Sequence, residues 1–243
     1  VEYDGKIVRA SEAAYDMFAK KFPDKDFYLA TIAGPVRAVD LSHRMPSASV
    51  YGISDEKFRS ILPDFSTDYY RIFPSSDLKG VEICSTFKNI YAIAAGVCDG
   101  IYKKENVGFY YNTVSFIFNQ SVLEMAKIIR ISGCSHETVY DLAGVGDLHV
   151  TSTAGRNRRY GEMVGSGMDG ETAFKKLYAE GEYGEGYIAL KLAIPWLSKS
   201  GAAAGAEDFI KNELPLLDTL RNVVYGNCEP IKEFKKLMLK LGC

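Results

Sequence analysis

Residues 142–162, LAGVGDLHVTSTAGRNRRYGE, carry the acid Asp147, the hydroxyls of Thr151, Ser152 and Thr153, and the run Arg156-Asn157-Arg158-Arg159 on one glycine-rich turn leading into a helix. Helix starts expose unpaired N–H groups at the positive end of the peptide dipole. Arg156 and Asn157, arriving just after the flexible Gly155, therefore suit a small phosphate. On those few residues alone a solvated basic helix start is the more ordinary reading.

A second chemistry-bearing pair, Lys88-Asn89, interrupts the apolar helix predicted over residues 81–97, VEICSTFKNIYAIAAGV. At helical spacing from Lys88 lie the small residues Cys84, Ser85, Ala92 and Ala95, while Ile83, Phe87, Ile90, Tyr91 and Ala94 fall on another side. This spacing predicts an ammonium left uncovered by its neighbours and open to a ligand or loop. Partial desolvation would lower its pKa and improve it as an acid-base group. A lysine snorkelling to solvent satisfies the same helix. Asn89 argues for a site, because two adjacent polar residues in a core-like helix cost burial energy.

The elements that must position these groups change character along the chain. A helical pattern at 11–22 closes at Pro23, a β-rich run at 26–32 precedes Gly34-Pro35, strands are predicted at 47–52 and 69–73, and a helix at 54–62 stops at Pro63. From Asp77 onward every pattern is helical. Val114, Ile117, Phe118, Ser121, Val122, Met125, Ile128 and Ile129 form a core stripe stopped by Gly133. Pro215 and Pro230 open two later helices, the first ending at Gly226, and 198–205, SKSGAAAG, reads as a loop or hinge. The predicted fold is an α/β remnant of a Rossmann-type domain (1–75) followed by an all-α C-terminal domain (76–243). No internal repeat is visible.

Composition narrows the partners. The 243 residues are 47% apolar, enough for a substantial core in one large or two modest domains. With 29 basic and 31 acidic side chains the net charge is -2, so no global field recruits nucleic acid or an anionic membrane, and any phosphate specificity is local. Cys84, Cys98, Cys134, Cys228 and Cys243 are odd in number and form no Cys-x-x-Cys, which predicts a reducing, cytoplasmic setting. His43, His136 and His149 show no metal-ligand spacing, so neither a zinc site nor a Ser-His-Asp triad is expected. The apolar run 90–98 is too short to span a bilayer, and no signal-peptide pattern is present.

Four segments occur in order: AGP followed by RMPSASV (33–50), GVEICSTFKNIYAIAAG (80–96), LAGVGDLHVTSTAGRNRR (142–159) and EGYIALK (185–191). In order and spacing they resemble the Gly-Pro segment, the catalytic-lysine helix, the substrate-phosphate motif and the cofactor-facing Glu-Gly-Tyr segment of the NAD-dependent glycerol-3-phosphate dehydrogenase family. The likeness covers nearly the whole chain. It implies interconversion of dihydroxyacetone phosphate and glycerol 3-phosphate with a nicotinamide, NAD or NADP. It further implies Lys88 as general acid or base and Asp147 as the carboxylate that orients it. Asn89 and Thr151 would hydrogen-bond substrate, and Arg156 would clamp phosphate with help from Asn157. Gly34, Ala38, Arg156 and Glu185 are the implied cofactor contacts, although Glu180-Gly181 competes with Glu185-Gly186 for that alignment.

The family opens with a strand, a Gly-x-Gly-x-x-Gly turn and a helix that hold the dinucleotide pyrophosphate. Gly165-Ser166-Gly167-Met168-Asp169-Gly170 matches those letters but follows a helical pattern, and it reads as a decoy loop. By the resemblance, Val1 falls just after a Lys-Gly that ends a Rossmann strand, so a second substrate-contacting lysine is missing and isolated cofactor binding is expected to be weak. Val36-Arg37 stands where the family tends to have Ser-Phe, which removes one hydroxyl and introduces a charge. A sheet remnant leaves an open edge, which predicts a homo-oligomer or pairing with a separate nucleotide-binding half. The alternative is a non-catalytic phosphate-binding or oligomerising helical module of the same descent. A 6-phosphogluconate-type enzyme fits the spacing from Gly-Asp-Leu to Gly-Arg-Asn-Arg-Arg less well.

Overall fold

Asp4 and Gly5, both at positive φ (49° and 67°), turn a short hairpin between β1 (Glu2–Tyr3) and β2 (Lys6–Ile7), with Glu2 opposite Ile7. Asp-Gly supplies the two left-handed residues that a tight hairpin turn needs. Next comes α1 (Ala10–Lys21), within a residue of the predicted span; Glu12 accepts the Arg9 N–H at 3.0 Å and closes its first turn.

Then follow β3 (Thr31–Ala33), α2 (Ala38–Ser42), β4 (Ser47–Gly52), α3 (Glu56–Ile61) and β5 (Tyr70–Ser75). The sheet order is β3-β4-β5, with Ile32 opposite Tyr51 in an antiparallel pair and Val50 opposite Phe73 in a parallel one. Ala33 and Val50, opposite one another, are buried on one face and Ile72, opposite the buried Ser49, on the other, while Ile32 and Phe73 are about half exposed on opposite faces.

Two expectations change here. The run predicted as a strand over 26–32 is strand only from Thr31, because β4 ends at Gly52 opposite Thr31 and offers nothing further to pair with. Gly52 sits against a helix start, where a Cβ would lie 2.8 Å from the Leu78 Cα. Phe27 and Tyr28 pack by their rings instead, Phe27 against Tyr15 (5.3 Å) and Tyr28 against Phe58 (4.6 Å). In α3, Asp55 caps by accepting the Phe58 N–H, and Pro63 does not end the segment but sits in a 3-10 turn, Leu62–Phe65, whose first positions tolerate proline.

All later elements are helices: α4 (Leu78–Lys104), α5 (Tyr111–Ile131), α6 (Glu137–Tyr140), a π turn (Leu142–Gly146), α7 (Asp147–Thr153), α8 (Arg156–Gly165), α9 (Gly170–Ala179), α10 (Glu185–Lys199), α11 (Ala206–Glu213), α12 (Pro215–Val224) and α13 (Pro230–Leu241). The architecture is thus an α/β remnant followed by an all-α portion. Gly133 stops the α5 segment in the left-handed region (φ 68°), and Pro215 and Pro230 open their helices. The Gly165–Gly170 letters fall on the end of α8, a turn at Gly167 and the start of α9, away from any strand. Of the predicted hinge, Ser198 and Lys199 finish α10 and Gly205 is described; residues 200–204 lie outside the described residues.

The structure, a computed structural model, describes residues 1–106, 111–199 and 205–242. They divide into two compact units, Val1–Ser85 with Ile129–Asp147, and Thr86–Ile128 with Leu148–Cys243. In the first, Asp77 accepts the Gly80 N–H (2.9 Å), the Ser135 N–H (3.0 Å) and the Thr138 hydroxyl (2.6 Å), capping α4 and tying down α6. In the second, α8 crosses α4 almost backbone to backbone. A Cβ at Gly96 would lie 1.9 Å from the Arg158 carbonyl, and one at Gly161 2.2 Å from the Ile93 carbonyl. Among the described residues no helix is long and apolar enough to cross a membrane.

Candidate functional site

The helix that carries Lys88 is buried on almost every side. Ile83, Phe87, Ile90, Tyr91 and Ala94 are at most 3% exposed, and the small residues Cys84, Ala92 and Ala95 are at most 4% exposed. Of the predicted small-residue face, Cys84, Ala92 and Ala95 are therefore packed, while Ser85 is half-buried. Small side chains there let other backbones approach rather than leaving open space. Lys88 and Asn89 are half-buried in the middle of this helix.

Asn89 is one corner of a tie among three helices of the second unit. Asn157, second residue of α8 and 4% exposed, donates its Nδ2 to Asn89 Oδ1 at 3.0 Å. Its own Oδ1 accepts the N–H of Gly186, second residue of α10, at 2.9 Å. Gly186 is obligatory for this approach, since a Cβ would come within 2.4 Å of the Asn89 backbone carbonyl. Next to each of the latter two is a charge. Arg156, first residue of α8, reaches Glu185, first residue of α10, at 2.5 Å. Both side chains are substantially exposed, at 51% and 37%.

Arg158 and Arg159 do different work. Arg158 places its fork on Asp99 (2.5 and 2.9 Å) and on the carbonyls of Ser152 and Thr153 (2.6 and 3.0 Å), which fastens α8 and the end of α7 to α4. Arg159 pairs with Glu180 and, at 3.0 Å, with Glu182. The predicted cationic cluster is thus an interleaved set of ion pairs around a cavity of about 400 Å³ lined by Gly155, Arg156, Arg158, Arg159, Glu162 and Glu182. These partners also separate the two competing Glu-Gly pairs. Glu180-Gly181 sits in the turn after α9, with Gly181 at φ 80°, whereas Glu185-Gly186 meets Arg156 and Asn157.

In the first unit, a π turn delivers Asp147 to the start of α7, where it is 2% exposed. Its Oδ2 accepts the Gly34 N–H at 3.0 Å, at the end of β3. Ala38 begins α2 and is exposed. Thr151 lies half-buried on α7 and belongs with the second unit. Gly186 was absent from the sequence-derived site. Its only sequence signal was the glycine of the Glu-Gly-Tyr segment. No group of metal-ligating side chains is present among the described residues.

Residues 77–235 match the family described as NAD-dependent glycerol-3-phosphate dehydrogenase C-terminus. The chain is 31% identical over 215 residues to the NAD(P)+ glycerol-3-phosphate dehydrogenase of Clostridium botulinum, covering 87% of this chain and 59% of that protein. It is 30% identical over 227 residues to the NADP(+)-dependent glycerol-3-phosphate dehydrogenase of Archaeoglobus fulgidus, covering 93% of this chain and 63% of that protein. Among solved structures, the glycerol-3-phosphate dehydrogenase of Coxiella burnetii superposes with a TM-score of 0.74 at 26% identity, over 92% of this chain and 63% of that one. The chain spans 59% of the length of the Clostridium relative. By the extent of the match over residues 77–235, the chain belongs to the NAD-dependent glycerol-3-phosphate dehydrogenase family.

Proposed function

We propose that this chain serves the interconversion of dihydroxyacetone phosphate and glycerol 3-phosphate, with residues 76–243 as its substrate-binding and catalytic portion and residues 1–75 as the trailing part of a nucleotide-binding domain. The observation that carries this reading is the tie in the second unit, where Asn89, Arg156, Asn157 and Glu185 are linked by contacts of 2.5 to 3.0 Å. Three motifs far apart in sequence meet there, and each is one that the family resemblance assigns to substrate or cofactor.

Lys88 gives a proton to the ketone oxygen as it becomes an alcohol, or takes it back in reverse. Asp147 is the catalytic carboxylate, oriented by the Gly34 N–H at 3.0 Å. Asn89 and Thr151 hydrogen-bond substrate. Arg156, on the first turn of α8, grips the phosphate through its planar fork and exchanges Glu185 for it as a partner. A nicotinamide, NAD or NADP, would supply or accept the hydride when bound. Gly34, Ala38, Arg156 and Glu185 are the residues that would face it. The Gly34 amide is already engaged by Asp147, and a Cβ there would lie 2.9 Å from the Ser49 Cα, so the glycine is required by the close approach of β4. The Gly-x-Gly-x-x-Gly letters end α8 and begin α9 with no strand before them, so they do not form the turn that would hold a dinucleotide pyrophosphate.

The sheet of the first unit pairs with a second copy or with a separate nucleotide-binding half. The two edge strands β3 and β5, each with a single partner among the described residues, and the half-exposed Ile32 and Phe73 on opposite faces support this. The test is calorimetric titration of the purified chain with glycerol 3-phosphate, together with nicotinamide absorbance during turnover of dihydroxyacetone phosphate. Binding is expected, with turnover only at high nicotinamide concentration because the chain alone holds the cofactor weakly, and with turnover lost and binding retained in Lys88→Ala. Binding without any turnover by the unaltered chain would instead identify a non-catalytic phosphate-binding module. Absence of both refutes the reading.

A further inference from the structure

A helix start that serves an anion is poorly closed by a cap of its own, because an N-cap side chain takes N–H groups that the anion needs. The starts of α3 and α9 are closed in that way, by Asp55 on the Phe58 N–H and by Asp169 on the Thr172 N–H, each at 3.0 Å. That of α8 is not. Gly155, at φ 133°, precedes Arg156 and supplies no side-chain acceptor. An uncapped first turn frays unless something else holds it.

Arg158, third residue of α8, holds it from the side. Its side chain is 26% exposed and that of Asp99 12%. Nε and Nη2 donate to the two oxygens of Asp99, at 2.5 and 2.9 Å, and Nη1 reaches back over the turn to the last carbonyls of α7, Ser152 at 2.6 Å and Thr153 at 3.0 Å. Those carbonyls lie at the negative end of α7, where a helix cannot pair them within itself. One guanidinium thus caps the end of α7, roots the first turn of α8 and fastens both to α4. A planar fork reaches all of these partners at once, whereas a lysine ammonium does not.

We propose that Arg158 is a positioning residue: it orders the uncapped start of α8, so that the first turn presents Arg156 to a phosphate from a fixed root. This rests on the reading above that Arg156 grips the phosphate. Arg158 lines the same cavity as Arg156, but its fork is engaged by Asp99 and the α7 carbonyls, so its part is geometric.

Arg158→Lys keeps the charge and removes the fork. In the ligand-free chain, hydrogen exchange followed by NMR is expected to accelerate at the Arg159 amide, whose bond to the Gly155 carbonyl (3.0 Å) is the first of α8, and to stay unchanged at Val164, 2% exposed near the other end. In calorimetry, inorganic phosphate and glycerol 3-phosphate are expected to lose affinity together, about tenfold, the scale of one lost charge-assisted hydrogen bond. Equal acceleration at both amides would make Arg158 a general support of the fold and overturns the proposal, as does unchanged phosphate affinity in a folded variant.

Asp99→Asn separates position from field, and it decides the matter if the first variant fails to fold. Without its paired carboxylate the Arg158 cation raises the positive field of the cavity, so electrostatics alone predicts tighter phosphate binding. A loosened first turn predicts the reverse. Weaker binding with faster exchange at Arg159 is expected, and tighter or unchanged binding overturns the proposal. If the unaltered chain binds neither ligand, the reading of Arg156 as the phosphate grip fails, whereas exchange at Arg159 against Val164 still decides whether Arg158 orders the start of α8.

Discussion

Glu124 should make the stability of this chain fall as pH rises through the neutral range, opposite to the behaviour of most carboxylates. It lies on α5 with no exposed surface. Its Oε1 accepts from Gln120 Nε2 (2.9 Å) and the Leu216 N–H (2.6 Å), and its Oε2 from the Tyr91 hydroxyl (3.0 Å) and the Leu217 N–H (3.0 Å). The two backbone donors are orphan groups at the start of α12, so the carboxyl caps that helix from another one. Burial outweighs these hydrogen bonds and pushes the carboxyl from its ordinary 4.5 up to about 7. Between those values the folded chain holds a proton that the unfolded chain has released. Stability from Glu124 is therefore complete below about pH 4.5 and is lost as pH rises through about 7. The shift corresponds to about 3 kcal/mol.

Urea unfolding of the wild-type chain and Glu124→Gln across that window measures it. The glutamine retains one acceptor but sets an amide against N–H groups, at a pH-independent cost of about 1–3 kcal/mol. Asp16, Glu137 and Glu229, held low by Lys20, Ser135 and Lys232, contribute in the opposite sense at more acid pH and are common to both proteins. They cancel in the difference. A wild-type advantage that shrinks by about 3 kcal/mol from acid to neutral pH is expected. Parallel curves for the two proteins would refute the reasoning.

Two further substitutions probe the second unit. Arg156→Lys replaces a planar fork by a point charge and should weaken glycerol 3-phosphate binding about tenfold in calorimetry. Because the Arg156 and Glu185 side chains are 51% and 37% exposed, its unfolding free energy should change by under about 1 kcal/mol; equal affinity would move the phosphate elsewhere. Gly161→Ala would be mildly favourable in an isolated helix, but here its Cβ arrives 2.2 Å from the Ile93 carbonyl. A loss of about 3 kcal/mol, read as a lowered Tm, is expected, and an unchanged Tm would mean that α8 does not cross α4 this closely.

What the sequence made legible follows from how local each cause is. Pro215, Pro230 and Gly133 mark helix ends because proline and left-handed glycine act on their own backbone, and the structure places those ends there. Strand length is not local: residues 26–32 have β propensity throughout, but β3 extends only as far as β4 offers partners. A helical wheel likewise tells which residues share a face with Lys88, not what covers that face. The partners of Arg158 and Arg159 lie 59 and 21 residues away in sequence, so a run of charges could not reveal itself as a set of ion pairs. The family motifs were legible because their order survives in the sequence without any knowledge of packing.

Neighbouring residues of a helix point about 100° apart, which explains why Arg156 and Asn157 have different fates despite their adjacency. When Asn157 turns inward to full burial, Arg156 is carried to the rim, half exposed and able to exchange partners. Gly186 and Glu185 repeat the arrangement on α10, with the inward member lacking a side chain because Asn89 leaves no room for one. The inward members hold backbone and amide positions at close range, so each rim charge starts from a fixed root. A long, flexible side chain gains precision this way without being buried itself, and its charge keeps its solvation until a ligand displaces water. Enlarging Gly186 should therefore disturb ligand binding through the displaced charge of Glu185 beside it.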